Sequence, residues 1–85
     1  MNQQDVFQVI KKVTLEVLSF LSPAEVTMEK SLKDLGANSI DRMEIVTMSM
    51  EDLNVKIPPN EFGEVKNLEG LVNLLLEKVN SSLVN

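Results

Sequence analysis

Asp34-Leu35-Gly36-Ala37-Asn38-Ser39-Ile40-Asp41-Arg42-Met43-Glu44-Ile45-Val46 is the passage on which the fold turns. Gly36 releases the chain from the segment before it. Asn38 has the side chain of a helix cap, and Asp41, three residues on, comes close to capping-box chemistry. A helix is therefore predicted from about Ser39 to about Asn54. Projected at about 100° per residue, Ile40, Met43, Ile45, Val46, Met50 and Leu53 spread over an arc of roughly 220°. A core-facing surface helix needs little more than about 100°. Ile45, Val46 and Leu53 suffice for a core stripe, which leaves Ile40, Met43 and Met50 at or near the surface. Asp41, Glu44, Glu51 and Asp52 occupy the opposite arc. Periodicity fits two readings equally: a helix buried on two sides of a small bundle, or one whose extra apolar residues meet a partner. Methionine is adaptable and recurs on surfaces that meet several partners.

Outward from this helix the pattern is helical throughout, with no strand alternation and no internal repeat. Val6, Val9, Ile10, Val13, Val17 and Phe20 fall within an arc of roughly 100° and predict an amphipathic helix over residues 4 to 21. Leu68, Leu71, Val72, Leu75 and Val79 form a similar stripe near the C-terminus, with Asn67 placed to cap it. Both stripes read as core. Residues 22 to 38 form a long connection, the kind that is often functional or internally structured. Within it Ser22-Pro23-Ala24-Glu25 has a capping-box pattern with proline at the first helical position, enough to start one turn. Leu32 and Leu35 are spaced to pin the connection to the core. Ile57-Pro58-Pro59 must be extended or turning. Asn60 to Val65 has room for one or two turns that bury Phe62 and Val65. The sum is an all-α bundle with three longer helices and one short one, in a single domain over residues 1 to 85.

Composition narrows the chemistry. With 85 residues the core is modest. There is no cysteine and no histidine. This removes thiol nucleophiles, disulfides, the usual zinc ligands and any Ser-His-Asp or Cys-His arrangement within the chain. Catalytic and metal-binding residues are accordingly expected to be absent. Thirteen acids against eight bases give a net charge of −5. Nucleic acid and anionic membranes are poor partners for such a surface, and proteins with basic patches are good ones. Most of the excess is local: residues 41 to 69 carry a net −4, residues 1 to 38 a net −1. No apolar run approaches a membrane span, and Met1 to Asp5 lacks the features of a secretory signal. A cytoplasmic location is expected.

The stretch from Asp34 to Val46 resembles the attachment motif of acyl carrier proteins, commonly Leu-Gly-x-Asp-Ser-Leu followed by an acidic helical stretch containing Val-Glu-Leu. The resemblance extends over essentially the whole chain, including the long connection, Ile57-Pro58 and the closing helix. It implies a four-helix bundle of acyl-carrier type with a short third helix. It also implies that Ser39 receives 4′-phosphopantetheine from coenzyme A, through a phosphopantetheinyl transferase, and that the arm's thiol carries an acyl group as a thioester. The chain would then present substrates without catalysing. Asn38 stands where the family has aspartate; it keeps the capping ability and drops a charge that transferase contacts could use. Arg42, the sole arginine, lies on the first turn, where a positive charge opposes the helix dipole. It reads either as a local pair with Asp41 or a loop acid, or as a mark for a particular partner.

The string Gly36-Ala37-Asn38-Ser39-Ile40-Asp41-Arg42 resembles free-standing donor carriers in the β-branching cassettes of bacterial polyketide pathways. This implies an acetyl cargo made by decarboxylating malonyl. The implied partners are an acyl-loading enzyme, a decarboxylating ketosynthase-like enzyme and an enzyme similar to hydroxymethylglutaryl-CoA synthase. The expected contact residues are Asn38, Ile40, Asp41, Arg42, Met43, Glu44, Met50 and Glu51, on a monomer. Two other readings remain: a general carrier of fatty-acid or polyketide chains, and a helical adaptor without cofactor.

Overall fold

The computed structural model describes residues 1–84, with side chains through Ser81. Helix α1 spans Gln3–Val17, α2 spans Ser39–Leu53 and α3 spans Leu68–Val84. Two short 3-10 segments, Pro23–Glu25 and Pro59–Phe62, punctuate the connections. Helix α1 packs against both α2 and α3. The bundle is thus the expected one, its short third helix reduced to four residues of 3-10 helix beginning at Pro59.

Each helix begins where side chains can satisfy its unpaired N–H groups. For α1, Asn2 and Asp5 form a reciprocal capping box: Asp5 N–H donates to Asn2 Oδ1 at 2.9 Å and Asn2 N–H to Asp5 Oδ2 at 3.0 Å. Asn38 and Asp41 do the same for α2, at 2.8 and 3.3 Å. For α3, Gly70 N–H donates to Asn67 Oδ1 at 2.9 Å. Its two preceding N–H groups reach across the molecule, Leu68 to the Lys30 carbonyl at 2.9 Å and Glu69 to the Met28 carbonyl at 3.0 Å. The long connection therefore does structural work: its backbone caps a helix some forty residues further along.

That connection is internally ordered, as its length suggested. Ser22 N–H donates to Glu25 Oε2 at 2.8 Å, and the proline-led turn forms as a 3-10 segment. A second box, Ser31 with Asp34, starts the turn before the attachment-like motif. This turn closes with Gly36 N–H on the Lys33 carbonyl and Ala37 N–H on the Leu32 carbonyl, both at 3.0 Å. The paired bonds are those of a Schellman ending, which requires a left-handed residue, and Gly36 supplies it at φ +99°. Leu32, Leu35 and Ala37 are buried and hold the segment to the core.

The first helix departs from the sequence expectation at its end. It stops at Val17 rather than continuing to residue 21, with the Leu18 N–H closing on the Thr14 carbonyl at 2.8 Å. Leu18 turns inward and is buried, whereas Phe20, assigned to the apolar stripe, is 70% exposed. Val9 and Val17 are half-buried, and the fully covered positions are Val6, Phe7, Ile10, Val13 and Thr14. Thr14 can sit there because its hydroxyl donates to the Ile10 carbonyl at 2.7 Å. The predicted stripe of α3 is buried throughout. Phe62 and Val65 pack half-buried against the core, and a Lys78–Glu61 ion pair at 3.1 Å ties the second 3-10 segment to α3.

Candidate functional site

Ser39 is the first residue of α2, and it is exposed. The capping box occupies Asp41 N–H, and Arg42 N–H starts the helical ladder on the Asn38 carbonyl at 2.9 Å. The N–H groups of Ser39 and Ile40 are the ones left facing outward at the positive end of the helix, suited to an anion on the serine oxygen. On the other side of the hydroxyl, the Arg42 guanidinium donates to Ser39 Oγ at 3.3 Å. Arg42 therefore does not make the local pair with Asp41; that carboxylate is turned to Asn38 N–H. Gly36 and Ala37 bring almost no side-chain bulk to the approach.

Around this point the predicted contact residues separate. Ile40 is 73% and Met43 70% exposed, Met43 one turn after Ser39 on its face of α2 and Ile40 directly after it, and Glu44 and Glu51 are exposed further along. Met50 is less open than expected: it is half-buried and packs against the core. Val46, assigned to the core, is also only half-buried. Ile45 and Leu53 are buried as expected, joined by Ser49.

Two features escaped the sequence reading. The first is Phe20. A Cβ on Gly36 would come within 3.1 Å of Phe20 Cζ, so the exposed ring lies against the glycine three residues before Ser39. Its spacing matched the α1 stripe, which hid it. The second is a groove of about 340 Å³ between the connection, α2 and the start of α3. Arg42 and Val46 form one wall, Lys33 another, and Phe62, Val65 and Lys66 a third. These residues come from three segments spread over more than thirty positions of sequence, and no local pattern joins them. Just outside it, two hydrogen bonds from Ser31, one backbone and one hydroxyl, hold the Asp34 carboxyl below the usual aspartate range.

An exposed serine hydroxyl at a capped helix start, beside an arginine, is placed to accept a group. A family model described as a phosphopantetheine attachment site matches residues 8–75. The chain belongs to the acyl carrier family. The polyketide biosynthesis acyl-carrier-protein AcpK of Bacillus subtilis (strain 168) is 43% identical to this carrier over 82 residues, 96% of this chain and all of that protein. An acyl carrier protein of Guillardia theta is 31% identical over 93% of this chain and 98% of its own length. Among solved structures, a chain from the curacin biosynthetic pathway HMG synthase in complex with acetyl donor-ACP is similar at a TM-score of 0.83 and 38% identity. The match covers 92% of this carrier and 100% of that chain. Members of the family bind 4′-phosphopantetheine covalently, and the residues around Ser39 fit such a group: an open hydroxyl, small neighbours, two free N–H groups and one guanidinium. No helix among the described residues is long and apolar enough to cross a membrane.

Proposed function

We propose that the protein is a donor acyl carrier for polyketide β-branching, with 4′-phosphopantetheine on Ser39. The observation that carries the attachment point is the placement of Ser39: exposed, first in α2, its hydroxyl 3.3 Å from the Arg42 guanidinium. Loading forms a bond between Ser39 Oγ and phosphorus, breaks the pyrophosphate link of coenzyme A and releases adenosine 3′,5′-bisphosphate. The serine proton passes to a base of the transferase. Bound there, the cofactor supplies the thiol that the chain lacks. The chain itself contributes position and recognition, and on this reading is not an enzyme.

The donor role is supported by the likeness to AcpK and to the chain from the curacin HMG synthase in complex with acetyl donor-ACP. On this reading an acyl-loading enzyme supplies malonyl, a decarboxylating ketosynthase-like enzyme converts it to acetyl with loss of carbon dioxide, and a synthase of the hydroxymethylglutaryl-CoA type takes the acetyl unit. Docking falls to Asn38, Ile40, Asp41, Arg42, Met43, Glu44 and Glu51, with Met50 contributing only its exposed edge.

Intact mass after reaction with coenzyme A and a broad phosphopantetheinyl transferase tests attachment. The wild type gains one arm; Ser39→Ala gains none while keeping its helical circular dichroism and melting temperature. A loaded Ser39→Ala protein would overturn the assignment. The acyl group found on carrier isolated from its producing cells tests the subtype: acetyl or malonyl supports it, and a long chain returns the protein to general carrier work.

A further inference from the structure

Among the described residues the exposed large hydrophobic side chains are Met1, Phe20, Ile40 and Met43. Ile40 and Met43 follow Ser39 on α2, whereas Phe20 comes from the turn that leaves α1. That turn is closed by Leu21 N–H on the Leu18 carbonyl at 3.1 Å, with Leu18 as its buried foot. Phe20, two residues after Leu18, stands outward. Its ring rests on Gly36, where a Cβ would meet Cζ at 3.1 Å and Cε2 at 3.5 Å. The ring is thus seated on one side and open on the other. A single exposed aromatic needs no explanation in itself. Here two turns hold it in place, so less side-chain freedom remains for a contact to remove.

We propose that Phe20 is a specificity-determining contact for the synthase that takes the acyl group, received in an apolar socket beside that enzyme's entrance for the arm. The inference rests on the donor reading and on Ser39 being the attachment point. Three residues of backbone reach no further than about 11 Å, so the seat of the ring at Gly36 lies close to Ser39. An interface of about 800 Å² per partner is roughly 30 Å across. An enzyme that covers Ser39 on that scale has Phe20, Ile40 and Met43 within its footprint. Exposed acids border the three, Asp34 two residues before Gly36 and Glu44 directly after Met43. The complementary surface is therefore apolar at its centre and basic at its edge. Aromatic side chains suit such a place, since they bury a large area for little lost freedom. Phe20 also belongs to a different element from Ile40 and Met43. Contact at α2 alone leaves the carrier able to pivot about that helix, and a second point at the exit of α1 fixes its orientation.

The test compares wild type and Phe20→Ala, each loaded to completion with an acetyl arm by a broad transferase and checked by intact mass. With the hydroxymethylglutaryl-CoA-synthase-type enzyme of the producing cells, Phe20→Ala should raise KM for the acetyl carrier roughly tenfold and leave kcat within about twofold. Its melting temperature should stay near the wild-type value. Phe20→Leu, which keeps an apolar side chain, should recover most of the loss. In wild-type carrier labelled at phenylalanine, unlabelled synthase should shift the ring signals of Phe20 and leave those of the buried Phe7 in place. Should Phe20→Ala lose its fold, these ring signals decide alone. Wild type that gives up no acetyl overturns the donor reading and this proposal with it. Acetyl transfer with equal KM in both proteins, or Phe20 signals indifferent to the synthase, overturns this proposal alone. So does a carrier dimer that Phe20→Ala dissolves, which gives the ring to a second copy.

Discussion

At the scale of single residues, α2 contrasts two kinds of apolar side chain about 3 Å of helix rise apart. Ile45 is wholly buried and Met43 is 70% exposed, although sequence periodicity places both on one wide arc. Truncating a buried aliphatic side chain removes about 2–5 kcal/mol, much of what holds a domain of this size. Ile45→Ala should therefore depress the melting temperature strongly. Met43→Ala should change stability by no more than roughly 0.5 kcal/mol and weaken acyl transfer to the partner synthase instead, as thermal melts beside transfer assays would show. Ser49 makes the converse case. It is fully buried on α2 and its hydroxyl has no hydrogen-bond partner. An unpaired buried hydroxyl opposes folding, so Ser49→Ala should be neutral or stabilising by about 1 kcal/mol in a denaturant titration. A clear loss of stability would mean that the hydroxyl is satisfied in solution. Gly36 is constrained twice, by φ +99° and by the Phe20 ring 3.1 Å from where a Cβ would sit. Gly36→Ala should lower stability by about 1–2 kcal/mol.

At the scale of elements, the turn ahead of α2 is held by side chains whose charge depends on pH. Hydrogen bonds from Ser31 hold the Asp34 carboxyl below its ordinary value of 3.8. A carboxyl depressed in the folded state adds stability that is complete above the unfolded value and is lost as pH falls through the folded one. The Ser31 and Asp34 amide signals should therefore report opening of this turn below about pH 4, and Asp34→Asn should flatten that titration. Such boxes are local, spaced three residues apart, and this is why so much of the architecture was legible. Asn38 with Asp41, Ser22 with Glu25 and Asn67 each predicted a helix start that the structure contains. The stripes of α3 and the pins at Leu32 and Leu35 were legible for the same reason, since burial at fixed spacing leaves its mark in sequence. What stayed hidden depends on distant partners. The Met28 and Lys30 carbonyls that cap α3 are backbone groups with no sequence signature. Phe20 kept helical spacing after the helix had ended. Met50 is half covered by what packs beside it. Around Ser39, the capping pair and the exposed Ile40 and Met43 were anticipated, whereas the groove beside Arg42 was not.

At the scale of the whole molecule, charge is divided between two faces of one site. The excess of acids lies on α2 and the segment after it, with Glu44 and Glu51 exposed. The bases nearest Ser39 gather instead in the groove. An approaching enzyme with a basic surface is thus drawn to one side of the serine and repelled from the other, which orients it before contact. Such steering acts mainly on the association rate and is screened over about 10 Å at 0.1 M salt. Reversing the sign at Glu44 and Glu51 together should slow loading by the transferase at low salt. The wild-type rate should fall as salt rises, so the two proteins should converge. The fold should not register the change, because both side chains are exposed and neither enters an ion pair among the described residues. Stopped-flow loading rates across a salt series give the answer. If the double variant loads as fast as the wild type at every ionic strength, recognition does not run through these acids, and the exposed apolar residues Phe20, Ile40 and Met43 must carry it by contact rather than by field.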